Sequence, residues 1–126
     1  MRGILDTSVV LSADVDPIPG ELALSAITLA ELHFGVLVAK TPDIRAERLR
    51  RLVQIEREFD ALPVDDDVAD GYGRLASAVV FEGRNPRARS MDLLIAATAY
   101  AHGARLYTRN PSDFLGLADF IDVVAV

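Results

Sequence analysis

Short apolar segments alternate with longer helical patterns along the chain, and this alternation limits the possible folds more than any other feature. Strands are predicted at residues 3–5, 22–25, 62–64, 105–108 and 121–124, and helices at residues 28–39, 43–59, 66–81 and 90–100. Each strand is brief and mostly apolar, as in a parallel sheet that is covered on both faces. The sequence therefore predicts an α/β fold with helices on both sides of a parallel sheet.

The length of 126 residues is that of one ordinary domain, so we expect a single domain over residues 1–126. The absence of cysteine excludes thiolate zinc sites, iron–sulfur clusters and cysteine nucleophiles. The first residues contain too short an apolar stretch for a signal peptide, and the longest uncharged apolar stretch, residues 93–101, is too short to span a membrane. We therefore expect a cytoplasmic protein with no membrane partner.

Four acidic residues occupy equivalent places in this topology. Asp6 ends the first strand, and Glu31 lies in the first turn of the helix that follows the second strand. Asp92 begins the helix that leads into the fourth strand, and Asp113 follows that strand. All four positions fall at the carboxyl edge of the predicted sheet, where open α/β sheets bind ligands. We expect the four carboxylates to face one crevice.

Three of these acids also match the sequence patterns of helix caps. Thr28 and Glu31 have capping-box spacing, Asp92 lies two residues after Ser90, and Asp113 follows an Asn-Pro pair. Taken singly, each of these three acids is better explained by capping than by chemistry, because cap motifs are so common. Taken together, four carboxylates in one crevice would repel one another unless a divalent cation neutralised them.

The ligand types indicate which cation would bind. The set contains only oxygen ligands, and neither His33 nor His102 falls at the carboxyl edge, so Mg²⁺ or Mn²⁺ is favoured over zinc or copper. Carboxylate-bound magnesium suits phosphodiester hydrolysis, in which one ion activates water and a second, roughly 4 Å away, stabilises the leaving oxygen. The number of ions is left open by the sequence.

Four segments resemble, in order and spacing, the PIN-domain ribonucleases of the VapC toxin type. They are ILDTS at residues 4–8, TLAEL at 28–32, DLLIAA at 92–97 and TRNPSDF at 108–114. The resemblance covers the whole chain. It implies a five-stranded parallel sheet in the order 3-2-1-4-5, Mg²⁺-dependent cleavage of RNA, a homodimer, and inhibition by a cognate antitoxin encoded beside the toxin.

The resemblance also implies roles for particular residues. Asp6 and Asp92 correspond to the principal metal ligands, and the other two acids complete the set. Three polar residues match those that orient the carboxylates or the metal-bound waters: Ser8, Thr108 and Asn110. Members of the family often carry an acid where this chain has Asn110, so the role of the fourth acid falls on Asp113.

The basic residues give a weaker indication of function. The net charge of −6 argues against binding of nucleic acid by bulk electrostatics, although all but one of the thirteen basic residues are arginine. In the polar loop at residues 82–89, Arg84, Arg87 and Arg89 either hold RNA phosphates or are simply solvated. A further set is predicted to line a solvated helix face beside Glu47: Arg45, Arg48 and Arg51.

The large apolar residues are expected mainly in the core. The aromatic residues are too scattered to form a base-stacking surface, and four are assigned to the core: Phe34, Phe59, Phe81 and Phe120. Val36 and Leu37 lie on a helix with so much apolar surface that a partner, a second copy or the core must cover it. An antitoxin that grips this helix could place an arginine against Glu31 or Asp113.

Two other functions compete with the ribonuclease interpretation. A phosphatase of the haloacid-dehalogenase type also begins with a strand-end aspartate, but it needs an acid two residues later, where this chain has Ser8. A catalytically silent PIN-like module would bind RNA or protein without cutting. The complete set of four acids argues against such a module, and an activity assay distinguishes the two.

Overall fold

A five-stranded sheet lies at the centre of the fold in a computed structural model that describes residues 2–126. The strands are β1 (Arg2–Leu5), β2 (Glu21–Ser25), β3 (Asp60–Leu62), β4 (Arg105–Thr108) and β5 (Val123–Ala125). Every pairing is parallel, and the spatial order is β3-β2-β1-β4-β5. The predicted parallel α/β fold and its strand order are confirmed.

Five α-helices and two 3₁₀ helices connect the strands. The α-helices are α1 (Thr7–Val10), α2 (Ala26–Leu37), α3 (Pro42–Glu58), α4 (Asp66–Phe81) and α5 (Ser90–Ala101), and the 3₁₀ helices span Pro86–Arg89 and Pro111–Phe114. The sequence did not predict α1, because a four-residue helix is too short to show periodicity. Both 3₁₀ helices begin with proline, whose fixed φ suits the first helical position.

The core has two parts, one on each face of the sheet. Successive strand residues point to opposite faces, so Ile4 packs in one part and Leu5 in the other. The first part includes buried residues of α4 and α5 such as Leu75 and Ile95. The second includes Leu52 of α3 and buried residues of α1 and α2. Helices therefore cover both faces, as predicted.

Strand β1 packs against its neighbour β4 with no room for a side chain at position 3. A Cβ atom on Gly3 would lie 2.5 Å from Cε2 of Tyr107 and 3.0 Å from Cδ2 of Leu22. The ring of Tyr107 therefore lies directly over the backbone of β1. One residue beyond that strand, the Asp6 amide donates to the Tyr107 carbonyl over 3.0 Å, which joins the ends of the two strands.

The boundaries of two strands, β3 and β5, differ from the predicted ones. Strand β3 stops at Leu62 instead of continuing to Val64, because Pro63 has no amide hydrogen to donate to a neighbouring strand. Strand β5 begins at Val123 instead of Ile121. The Ile121 amide donates to the carbonyl of Leu117 in a preceding turn, so Ile121 is buried without joining the sheet.

The prediction that the phenylalanines lie in the core is wrong for most of them. Phe34 is 67% exposed on α2, and Phe81 is 88% exposed at the last position of α4. Phe120 is also exposed and contacts Tyr100 edge to face, with 6.2 Å between the ring centroids. Of these four, only Phe59 packs against buried residues of the core, and even it is partly exposed; the fifth phenylalanine, Phe114, is buried in the core. Periodicity identifies the helices here but not the face that each presents to the sheet.

None of the helices in residues 2–126 has both the length and the apolar composition needed to cross a bilayer.

Candidate active site

Asp6 is the most buried of the four acids and lies at the end of the central strand β1. Its side chain is folded inward, and the residue is only 6% exposed. Oδ1 accepts from the hydroxyl of Ser8 over 2.5 Å and from the amide of Val9 over 3.3 Å, and Oδ2 accepts from the hydroxyl of Thr108 over 2.6 Å. A buried carboxylate is costly without such donors, so these bonds explain how Asp6 is tolerated. Asp6 is also the N-cap of α1.

Two hydroxyl groups connect Asp6 to the loop after β4. The Ser8 hydroxyl donates to Asp6 and accepts from the amide of Arg109 over 3.0 Å. The Thr108 hydroxyl donates to Asp6 and accepts from the amide of Asn110 over 2.9 Å. Each hydroxyl has one hydrogen to donate. Because its oxygen already accepts a hydrogen bond from a backbone amide, that hydrogen points to the Asp6 carboxylate. Ser8 and Thr108 thus hold Asp6 in one orientation, whereas Asn110 contributes its backbone amide.

Asp92 and Asp113 share one positive partner. Nη1 of Arg89 lies 2.7 Å from Oδ1 of Asp113 and 3.4 Å from Oδ2 of Asp92. Burial raises the pKa of Asp92, and the charges of Asp113 and, more weakly, Asp6 raise it further, while the hydrogen bond and charge of Arg89 oppose the rise. Asp113 and, more weakly, Asp6 therefore lie close enough to Asp92 to act on it electrostatically.

Glu31 lies on α2 and contacts the residue that follows Asp6. Its Oε1 accepts from the Thr7 hydroxyl over 2.8 Å, and that hydroxyl is 3.2 Å from the hydroxyl of Thr28. The alternative that Glu31 completes a capping box is wrong, because α2 begins earlier and is capped by Ser25, whose Oγ accepts from the amide of Ile27. Glu31 is therefore available for a role other than capping.

The predicted cap at Ser90 is also wrong. Helix α5 begins at Ser90 itself, and Arg89 occupies the N-cap position without a capping side-chain bond. The Ser90 hydroxyl donates instead to the carbonyl of Arg87. Because a 3₁₀ helix runs directly into α5, the chain has no extended residue at which a serine cap could act. Asp92 remains in the first turn of α5, at the carboxyl edge of the sheet.

The chemistry of these donors fits a hard divalent cation. Every candidate ligand is a carboxylate oxygen, and the mutual repulsion at Asp92 is the kind that a cation relieves. Within residues 2–126, no group of three or more carboxylate or histidine side chains lies close enough together to hold a metal ion. Mg²⁺ needs no such group, since it usually keeps several waters and binds one or two carboxylates.

The arginines make contacts that the sequence analysis missed. Arg89 pairs with acids of the site, and Arg84 donates to Glu82 and to the carbonyl of Leu115. On α3, the face predicted to be solvated binds neighbouring backbone: Arg48 donates to Gly35 over 2.7 Å and Arg51 to Val10 over 2.9 Å. Glu47 pairs with Arg50. The i,i+3 spacings of Glu47 with Arg50 and of Arg89 with Asp92 were the local signals for these pairings.

A five-stranded parallel sheet in this order, with acids gathered at its carboxyl edge, defines the class of PIN domains. The family profile described as "PIN domain" matches residues 4–118. The chain belongs to the PIN-domain family and, within it, to the VapC ribonucleases. It is 39% identical to Ribonuclease VapC5 of Mycobacterium tuberculosis (strain ATCC 25618 / H37Rv), over 98% of this chain and 95% of that protein. It is 33% identical to Ribonuclease VapC4 of the same strain, over 99% of this chain and 97% of that protein.

Solved structures agree with this family. The crystal structure of VapBC-5, a member of the VapBC family of toxin-antitoxin systems from Mycobacterium tuberculosis, contains a chain that superposes with a TM-score of 0.87 at 39% identity, covering 99% of this chain and 98% of that one. The FitAcB structure from Neisseria gonorrhoeae gives a TM-score of 0.77 at 32% identity, covering 96% and 95%. The family membership leaves no support for the phosphatase alternative.

Proposed function

We propose that this PIN domain is an endoribonuclease toxin that hydrolyses phosphodiester bonds of RNA at its acidic edge, with Mg²⁺ as the cofactor and Mn²⁺ as a substitute. Curated relatives over nearly the whole chain are named ribonucleases. The observation that carries the proposal is the buried Asp6 carboxylate, which two hydroxyls hold at the end of β1, within electrostatic range of Asp92. We take residues 1–126 to form one such domain, acting in the cytoplasm.

In this proposal Asp6 and Asp92 are the principal ligands of the cation, and Asp113 and Glu31 complete the acidic set. The bound cation would activate water for attack on the phosphodiester and neutralise charge on the phosphate. Ser8 and Thr108 keep Asp6 in a single rotamer through the bonds described above, so little freedom is lost when it binds a cation. Asn110 supports Thr108 through its backbone amide.

RNA cleavage by the purified protein tests this proposal. Asp6→Asn and Asp92→Asn should each reduce Mg²⁺- or Mn²⁺-dependent cleavage by more than about a hundredfold, because each removes a ligand charge worth several kcal/mol. Both variants should keep the wild-type circular dichroism spectrum. Asp70→Asn is the matched control, since Asp70 is an exposed acid that pairs with Arg74 on α4.

Two results would contradict the proposal. Full activity of either site variant on an RNA that the wild type cuts would show that these acids do not carry the chemistry. Binding of RNA with no cleavage under any divalent cation would favour the catalytically silent module.

We propose further that a VapB-like antitoxin restrains this ribonuclease. One of the solved relatives is described as a member of the VapBC family of toxin-antitoxin systems, and helix α2 of this chain offers an apolar surface. Phe34 and Leu37 are exposed there, at 67% and 72%. Val36, which the sequence placed on the same surface, is only 8% exposed and belongs to the core, because it lies on the side of α2 that packs against α3 and the sheet.

A groove next to this surface is lined by one of the four acids, Glu31. It has a volume of about 290 Å³ and lies between α1, α2 and α3, with Glu31 and Gly35 on one side and Leu52 and Ile55 on the other. Arg48 and Arg51 also line it, so the groove offers charges of both signs beside its apolar walls, and it suits an extended segment that carries apolar and charged residues, among them an arginine for Glu31. A homodimer, as in the resemblance, is the assembly that we expect for the toxin.

A further inference from the structure

Arg89 bridges the two acids at the mouth of the candidate site. It is the last residue of the 3₁₀ helix Pro86–Arg89, three positions before Asp92 and 24 before Asp113. One nitrogen of its guanidinium contacts both carboxylates, at 2.7 Å from Asp113 and 3.4 Å from Asp92. The chain therefore places a permanent positive charge between two of its own proposed cation ligands.

When no cation is bound, the positive charge of Arg89 reduces the repulsion between the carboxylates of Asp92 and Asp113. Burial and the neighbouring carboxylates raise the pKa of Asp92, and Arg89 acts in the opposite direction. A guanidinium stays protonated at any physiological pH and can donate to several oxygens at once. Arg89 thus does part of what a divalent cation would do at the same carboxylates.

The guanidinium and a divalent cation would use the same oxygen atoms. Oδ1 of Asp113 and Oδ2 of Asp92 face Arg89, and two positive groups on the same oxygens repel each other. The Arg89 side chain is 53% exposed, so it has open solvent into which it can swing. An exposed ion pair of this kind is weak and easily broken, which makes the exchange reversible.

We propose that Arg89 is a built-in counter-ion that competes with the divalent cation for Asp92 and Asp113, and that cation binding releases its guanidinium to the solvent side. The inference rests on the proposed function, because it takes these two acids as cation ligands. Arg89 would then stabilise the cation-free protein and set a lower affinity for the cation than the acids alone would have.

Mn²⁺ binding, measured by electron paramagnetic resonance or calorimetry without RNA, tests the competition directly. Arg89→Gln should bind Mn²⁺ about two- to fivefold more tightly than the wild type, which corresponds to loss of the weak ion pairs that Arg89 makes with Asp92 and Asp113. Arg87→Gln removes the same charge two residues away. The Arg87 side chain makes no ion pair or hydrogen bond within residues 2–126, so this control should leave the Mn²⁺ affinity unchanged. Arg89→Lys keeps the charge and should give an intermediate affinity.

Thermal unfolding separates competition from a purely structural bridge. In EDTA, Arg89→Gln should unfold at a lower temperature than the wild type, because the acids lose their counter-ion. In saturating Mn²⁺ this deficit should disappear, because the wild-type guanidinium is no longer paired. A bridge that only holds the fold would give the same deficit in both conditions.

Other outcomes would overturn the inference in distinguishable ways. Equal Mn²⁺ affinity of wild type and Arg89→Gln, or weaker binding by the variant, would show that Arg89 does not compete. An equal rise in affinity for Arg87→Gln would show that only net charge matters. Absence of saturable Mn²⁺ binding by the wild type, or binding that Asp92→Asn does not weaken, would contradict the proposed function as well.

Discussion

Replacing Thr108 with valine tests whether the buried bond to Asp6 holds the site together. Valine has the shape of threonine but no hydroxyl, so the change removes two hydrogen bonds without opening a cavity. The bond from Thr108 to the Asp6 carboxylate is 2.6 Å long and buried, and a bond to a charged group contributes about 1.5–3 kcal/mol. The bond that Thr108 accepts from Asn110 adds about 0.5–1.5 kcal/mol.

The expected loss of unfolding free energy is therefore about 2–4.5 kcal/mol. For 126 residues the unfolding entropy is about 0.26 kcal/mol per degree, so the melting temperature should fall by about 8–17 °C. Differential scanning calorimetry measures this shift. Cleavage of RNA should fall by about 10- to 100-fold, as when other residues that orient metal ligands are lost.

Two further variants separate the hydroxyl from the side-chain volume. Thr108→Ser keeps the hydroxyl and should cost about 1 kcal/mol for the lost methyl group. In an Asp6→Asn background the charge is gone, so Thr108→Val should cost at least about 1 kcal/mol less than in the wild type. If Thr108→Val melts within about 2 °C of the wild type, or if the two substitutions are additive, the bond does not stabilise Asp6 and the reasoning fails.

Two other predictions concern the acids and the surface of α2. In EDTA, Asp92→Asn should melt at or above the wild-type temperature, because burial and Asp113 disfavour the negative charge that the substitution removes. Millimolar Mg²⁺ should raise the melting temperature of this variant less than that of the wild type. A clearly lower melting temperature of the variant in EDTA would make Asp92 a structural residue. Leu37→Asp should weaken copurification with the product of the neighbouring gene by at least about tenfold. The control Val80→Asp, at a position on α4 that is also exposed (54%, against 72% for Leu37), should not weaken it. Unchanged binding of Leu37→Asp would remove α2 from the docking surface.

The sequence predicted the fold well because the fold depends on local patterns. Short apolar strands and one-sided helices are visible in the order of residues, and the resemblance supplied the strand order that the structure confirms. The errors in the fold lie at its edges. Strand β3 ends earlier than predicted because of Pro63. Phe34 and Phe81 face solvent although they were predicted to be in the core, because an apolar residue in a helical pattern does not show which side of the helix faces the sheet.

The sequence predicted where the acids of the candidate site lie in the fold, but not which side chains they contact. The positions of Asp6, Asp92 and Asp113 follow from the topology, since each falls where a strand ends or a helix begins at one edge. Glu31 was predicted in the first turn of its helix, but α2 begins at Ala26 and Glu31 lies in the second turn. The partners of the acids do not follow from the topology: Thr108 is 102 positions from Asp6 and Arg89 is 24 positions from Asp113. Contacts over such separations are set by the packing of whole elements. The assignment of the acids to metal binding stays a prediction for the experiments above.

Because position 3 has no room for a side chain, substitutions of Gly3 should disturb the candidate active site although Gly3 is not one of its residues. The Tyr107 ring occupies the place that a Cβ on Gly3 would take, and Tyr107 directly precedes Thr108. Any larger residue at position 3 must push Tyr107, and the backbone carries that displacement to the hydroxyl that holds Asp6. A random search for non-toxic variants should therefore recover substitutions at Gly3 together with those at the acids, although Gly3 has no side chain that could touch RNA.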